Sequence, residues 1–160
     1  MRRIIQRREI VADRLRYAGE PLDAGTIAVQ TLAQWLARGA AAEPAALLLT
    51  AMDAVESLQG RLDGLQWIVI EFAKIGDGRG YTQGHLLRRR LGYAHELRAR
   101  GALKRDQLLF LARSGFDAFD LDPTENLHAA LAGFDAFTVA YQNGSEALLS
   151  LRRRGIAAPA

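Results

Sequence analysis

Apolar residues in this chain fall in short continuous runs, and between the runs they recur at helical spacing. The opening RRIIQRREIVAD has two β-type runs, Ile4–Ile5 and Ile10–Val11, around a polar turn. It predicts a hairpin, although no Asn-Gly or Asp-Gly pair marks the turn. The stretch Leu15–Gly25, with Pro21, reads as a polar connection. TIAVQTLAQWLARG predicts a short strand and then a helix that aligns Leu32, Trp35 and Leu36 and stops at Gly39. AAAEP reads as a linker and ALLLT as a short apolar run.

Val55, Leu58 and Leu62 of DAVESLQGRL share one helical face. WIVIEF, Trp67–Phe72, is a continuous apolar run, as in a strand covered on both faces. Thr82 is placed to cap a helix with Leu86, Leu87 and Leu91 on its apolar face, ended by Gly92. HELRA predicts the next strand. RDQLLFLARSG predicts a helix packing Leu108, Leu111 and Ala112 and stopping at Gly115, and AFDLD another strand. Asp122-Pro123-Thr124-Glu125 carries an N-cap signature for the helix NLHAALAGF. FTVAYQ predicts a final strand, and the tail from Asn143 a short basic helix.

Repeated alternation of strand and helix with short loops is the pattern of right-handed βαβ units. The expectation is a single α/β domain over 1–160. It has a mainly parallel open sheet of about five βα units, onto which the hairpin of 1–13 packs and which the tail of 143–160 follows. The alternative is a partial barrel of the half-TIM type, since about five strands cannot close an eight-stranded barrel.

Composition narrows the chemistry. The 160 residues are 49% apolar and 24% charged, as in a globular protein, and include no cysteine. That removes disulfides, thiol nucleophiles and cysteine-based metal sites. No apolar run is long enough to cross a bilayer, and the N-terminus lacks a secretory apolar region. A cytoplasmic location is therefore expected. The net charge is +3, and all but Lys74 and Lys104 of the 21 basic residues are arginine. Acidic residues are interspersed among them, so neither nucleic acid nor membrane is expected as a partner.

The stretch IEFAKIGDGRGYTQG is the least generic. It places glycines at 76, 78 and 80 and charges at Lys74, Asp77 and Arg79 between a strand and a helix. In open α/β sheets ligands bind beyond the carboxyl ends of the strands. Accessible amides at a helix start favour an anion. Lys74, Asp77, Gly78, Arg79, Gly80 and Tyr81 are thus candidate ligand-binding residues for an oxyanion or phosphate. The bland reading is a glycine-rich turn with exposed charges. The spacing fits neither GxGxxG nor GxxxxGK[ST].

A second set is Glu96, Arg98, Arg105, Asp106 and Gln107. Glu96 and Arg98 share one strand face, and an acid at Asp106 suits a helix start. Either they form surface ion pairs, or Arg98 and Arg105 converge with Arg79 on one anion. His85, His95 and His128 sit in no metal-binding spacing, so no metal is expected. The serines lack a nucleophile context, and no catalytic constellation emerges.

The run IEFAKIGDGRGYTQGHLLRRRLGYAHELRARGALKRDQLLFLARSGFDAF resembles an uncharacterised bacterial family. That family carries an EFxxxxDGRGY loop, then GELRAxGxxxxDQ, a GFDAF segment and a later SVAYQ-like strand, here Thr138–Gln142. The resemblance spans about Thr26 to Gln142. It matches at Asp77–Tyr81, at Glu96–Ala99 with Gly101, at Asp106 and Gln107, and at Gly115–Phe119. It departs at Ala73 and Gly76, where proline and threonine are common, and at His95, which replaces a glycine.

Members of the family are labelled as of unknown function or as oxidoreductases of sulfite reduction, a link drawn from gene neighbourhood. The resemblance implies a small protein of sulfur assimilation and supplies no catalytic residue. Whether the chain is an enzyme stays open, as does the identity of any cofactor. With no redox-active side chain, electron transfer would need a bound cofactor or a partner. The implied partners are sulfite reductase or another sulfur-assimilation protein, or a second copy of the chain. Oxyanion binding is the first functional expectation; the alternatives are docking as an accessory module and a structural homo-oligomer.

Overall fold

The computed structural model describes residues 2–38, 45–74 and 76–134. Eight strands form one curled half-barrel sheet: β1 (Arg3–Gln6), β2 (Glu9–Ala12), β3 (Leu15–Arg16), β4 (Ile27–Thr31), β5 (Ala45–Leu49), β6 (Leu65–Phe72), β7 (Glu96–Gly101) and β8 (Ala118–Asp120). Their order is β2-β1-β8-β7-β6-β5-β4-β3. β3 through β8 pair in parallel, and β1 lies antiparallel to both β2 and β8. Four helices accompany the sheet: α1 (Leu32–Arg38), α2 (Gly78–Arg89), α3 (Leu108–Arg113) and α4 (127–134). The mainly parallel α/β architecture with an N-terminal hairpin is the one the alternation predicts, and the curl makes it the half-barrel alternative.

The curl has a covalent cause. β2 and β3 lie at opposite ends of the strand order, yet only Asp13 and Arg14 join them. Three Cα steps of 3.8 Å span at most about 11 Å. A flat sheet of this many strands, each about 4.8 Å from the next, would hold its edges far further apart. The sheet must therefore bend until β2 and β3 meet.

Bending gives the sheet two unlike faces. On the outer face Ile68, Ile70, Phe72, Leu97 and Ala99 pack with Trp35 of α1, Leu87 of α2, and Leu108 and Leu111 of α3. On the inner face Leu15, Tyr17, Ala46 and Val69 form a smaller apolar group. Alternation then points Glu96, Arg98 and Arg100 of β7 inward. Register sets Glu96 beside Trp67, Arg98 beside Val69 and Ala118, and Arg100 beside Glu71 and Asp120.

Several local expectations are corrected. Leu15–Arg16 is not loop but pairs in parallel with Ile27–Ala28, because Leu15 is carried into the core at 0% exposure. The apolar spacing of Val55, Leu58 and Leu62 yields only a single 3-10 turn, Val55–Leu58. Gly60, at φ +72°, follows after Gln59. α2 starts at Gly78, with Asp77 and not Thr82 as its cap. α4 begins after Asn126, whose side chain accepts from the Ala129 amide at 3.0 Å, while Asp122 folds into its own turn with Thr124. The hairpin turn is made by Arg7 and Arg8, both at positive φ (46° and 67°), the geometry for which Asn-Gly is the usual solution. The expected strand FTVAYQ, the basic tail, the AAAEP linker and the Gly39 stop lie outside the described residues.

Candidate functional site

The charged residues singled out in the sequence fall into two places. Lys74, Asp77, Gly78, Arg79, Gly80 and Tyr81 lie at the rim where β6 passes into α2, at the C-terminal ends of the parallel strands. Arg105 and Asp106 lie on a 3-10 turn, Arg105–Gln107, at the same rim beyond β7. Tyr81 joins the two segments. Its hydroxyl accepts from Gln107 Nε2 at 3.1 Å, and its ring meets Phe72 edge-to-face at 5.3 Å. Glu96 and Arg98 are elsewhere, on the inner face of the sheet.

At the rim Asp77 serves as the N-cap of α2. Its carboxylate accepts from the Arg79 amide at 3.2 Å and from Arg79 Nε and Nη2 at 3.0 and 2.9 Å. These bonds hold the Asp77 carboxyl below its usual range. Arg79 Nη1 also approaches Met52 Sδ at 3.3 Å, and Met52 is 82% exposed. Lys74, Arg105 and Asp106 are exposed.

The glycines divide by cause. A side chain at Gly80 would stand 2.5 Å from the Phe72 ring, and one at Gly84 would stand 2.5 Å from the Phe116 ring. Gly78 faces open space. Gly80 is therefore explained by close helix-to-strand packing. Gly101, at φ +121°, closes β7 over the Phe72 backbone.

The inner face holds a locked network. Arg98, 3% exposed, donates through Nη1 to Asp13 Oδ1 at 2.7 Å and through Nε and Nη2 to Glu96 Oε1 at 2.9 and 2.7 Å. Gln6 Nε2 donates to Glu96 Oε2 at 2.6 Å. Arg2 Nε donates to Asp13 Oδ2 at 2.7 Å, and Asp13 also accepts from the Leu15 amide. Burial works to raise the Asp13 carboxyl, but the Arg98 guanidinium, with the Leu15 amide and Arg2, more than offsets it and holds the group below its usual range. Burial pushes Glu96 up, and Arg98 offsets only part of that. A cavity of about 180 Å³ lies beside the network, lined by Gln6, Arg14, Trp67, Glu96 and Arg98 among others.

Arg98 thus lies buried on the inner face and Arg79 exposed at the rim, and the three arginines do not gather on one anion. Asp13, Arg2 and Gln6, the partners of this network, were not among the sequence candidates. The available signal was charge at alternate positions of HELRAR, in a sheet expected to be mainly parallel and so covered on both faces. Such charges need buried partners. His85, His95 and His128 are exposed, and the described residues include no cluster of His, Asp or Glu placed for a metal ion. His95 contributes its backbone carbonyl, which accepts from Arg88 Nη1 at 2.7 Å, a bond that glycine would make equally. No helix among the described residues is long and apolar enough to cross a membrane.

A family model for a bacterial protein of unknown function (DUF934) matches residues 46–151. The comparisons found no matching curated protein and no matching solved structure.

Proposed function

The chain belongs to that bacterial family of unknown function, and on this premise we propose that it is a cytoplasmic oxyanion-binding protein serving sulfite reduction. The ligand would sit at the rim of β6 and β7. The link to sulfite rests on the resemblance of the 70–119 stretch to proteins so labelled. One observation carries the site. The Tyr81–Gln107 hydrogen bond draws together two loops that bear Lys74, Arg79 and Arg105, all exposed, beyond the ends of parallel strands. Arg79 is engaged by Asp77, but an exposed ion pair contributes little, so the guanidinium turns to a ligand at small cost. Sulfite, sulfate or a nucleotide phosphate would meet the cations as a multidentate acceptor.

A second reading, docking on a sulfur-assimilation enzyme, is favoured by Met52. It stands 82% exposed beside Arg79.

Calorimetric titration with sulfite, sulfate and ADP tests the first reading. Wild type should bind at least one of them, and Arg79→Ala should weaken that binding about tenfold, the loss of one contact of about 1.4 kcal/mol. Its melting temperature should be unchanged. Absence of binding by wild type, or equal binding by Arg79→Ala, overturns the reading. An absorbance spectrum of the purified protein adds a check for bound flavin or haem.

A further inference from the structure

The inner face carries charges in two conditions. Asp13, Glu96, Arg98 and Arg2 satisfy one another, with Gln6 and Glu20. One step nearer the C-terminal ends of the strands stand Arg100 and Asp120, which are register partners on β7 and β8. They form an ion pair at 3.5 Å, from Arg100 Nε to Asp120 Oδ2, too long for a hydrogen bond. The side chains are 24% and 11% exposed. Asp120 lies 3.7 Å from Arg2 Nε, whose bonds go to Asp13. Neither Arg100 nor Asp120 makes a side-chain hydrogen bond among the described residues. Burial pushes the Asp120 carboxyl up, and Arg2 and Arg100 offset only part of it.

The Arg100 guanidinium is held for presentation. It sits over the Tyr17 ring, 3.4 Å from the centroid. At that distance the ring covers one face of the guanidinium and leaves its edge, where the N–H groups lie, uncovered. Tyr17 is itself 8% exposed. Glu71, the other register neighbour of Arg100, adds a second carboxylate to the same face.

We propose that Arg100 and Asp120 form a binding site for a small molecule bearing a carboxylate and, on the adjacent carbon, a hydroxyl or amine. The guanidinium edge takes the carboxylate in a two-point grip. Asp120, beside it, accepts from the hydroxyl or amine. A bare oxyanion fits poorly, because Asp120 and Glu71 repel it while Arg100 attracts it. A ligand with its own donor satisfies both halves. The position agrees with the general placement of ligands at the C-terminal ends of parallel strands. Tyr17 is a positioning residue that keeps the guanidinium flat. This site shares no residue with the rim site of Lys74, Arg79 and Arg105.

The test is calorimetric titration of the full chain with glycolate, L-lactate and glycine, with acetate as the ligand lacking a donor. At least one of the three should bind tenfold or more tighter than acetate. Arg100→Gln should weaken that binding at least tenfold, and Asp120→Asn should reduce the preference over acetate to less than threefold. Tyr17→Phe, which keeps the ring, should retain binding, Tyr17→Leu should lose it, and Arg79→Ala should leave it unchanged. If none of the three exceeds acetate, or if Asp120→Asn keeps the full preference, the proposal is overturned. Loss of binding in Arg79→Ala would place the ligand at the rim and overturn it too. Should Arg100→Gln fail to fold, the acetate comparison in wild type and in the isosteric Asp120→Asn still decides.

Discussion

Two aspartate–arginine pairs in this protein look alike in chemistry and differ in consequence. Asp77 and Arg79 exchange two side-chain hydrogen bonds at the rim, with Arg79 58% exposed. Asp13 and Arg98 exchange one on the inner face, where their side chains are 0% and 3% exposed. Water screens the first pair and replaces either partner at little cost. The second pair has no water to fall back on. Removing Arg98 leaves Glu96 with no cation and Asp13 with Arg2 alone, in a poorly solvating interior. The inner pair also bears on shape. Asp13 sits in the two-residue link between β2 and β3, and Arg98 ties that link to β7, so the bond fastens the curl of the sheet.

The strongest test of this contrast is Arg98→Ala. It should destabilise the fold by about 3–5 kcal/mol, the usual effect of leaving a buried charge unpaired, in chemical denaturation. Arg98→Met should cost less, because it restores packing, though Asp13 keeps only Arg2 as a cationic partner and Glu96 keeps only Gln6. A loss under about 1 kcal/mol for Arg98→Ala would remove the distinction between the pairs.

Next in size is a comparison within the rim. Gly101→Ala would press a side chain into the Phe72 backbone from a positive φ and should cost roughly 3 kcal/mol or more. Gly78→Ala, with open space around it, should be tolerated or slightly stabilising, as expected for glycine replaced near a helix start. Equal losses at the two positions would refute the packing account of the glycines.

The pH dependence separates the inner carboxylates. Asp13 titrates below its ordinary value of 3.8, so the stability it contributes is present above that pH and is lost as pH falls through its folded value. Glu96 and Asp120 are shifted upward from 4.5 and 3.8. Their contribution is therefore complete below those values and is lost as pH rises through their folded values. Wild-type stability against pH should fall on the acid side through Asp13. Asp120→Asn should flatten the decline on the other side. An unchanged profile in that variant would show that Asp120 carries no upward shift.

The smallest effects are expected at the surface. Arg79→Ala should leave the melting temperature within about 2 °C of wild type, because exposed pairs are worth little. Arg7→Asn should raise stability by up to about 1 kcal/mol, by easing a left-handed arginine in the hairpin turn. A drop for Arg7→Asn would mean that its side chain is needed elsewhere.

Much of the architecture was legible locally. Apolar runs marked β1, β2, β5, β6 and β8, and the alternation with helical spacing marked a mainly parallel sheet, because period and continuity are properties of neighbouring residues. Cap chemistry was harder to place. Thr82 and Asp122 both satisfy the composition rule, but Asp77 and Asn126 are the residues that cap, since glycine packing on Phe72 moves the start of α2 upstream. The 3-10 turn at Val55–Leu58 likewise shows apolar spacing overruled by a following glycine in the left-handed region.

Of the candidate site, the sequence by itself determined the residue types and which of them share a strand face or a loop: Glu96 with Arg98, and Asp77 with Arg79. Only the tertiary structure decided which charges meet. Asp13 and Arg98 are 85 residues apart, and they meet because the two-residue link between β2 and β3 bends the sheet and carries Asp13 across its inner face. That bend turns Arg98 inward and away from Arg79, stacks Arg100 on Tyr17 and sets Asp120 beside it. The physical reason is that hydrophobic period fixes which face a residue takes, whereas the partner it finds there depends on the curvature of the whole sheet.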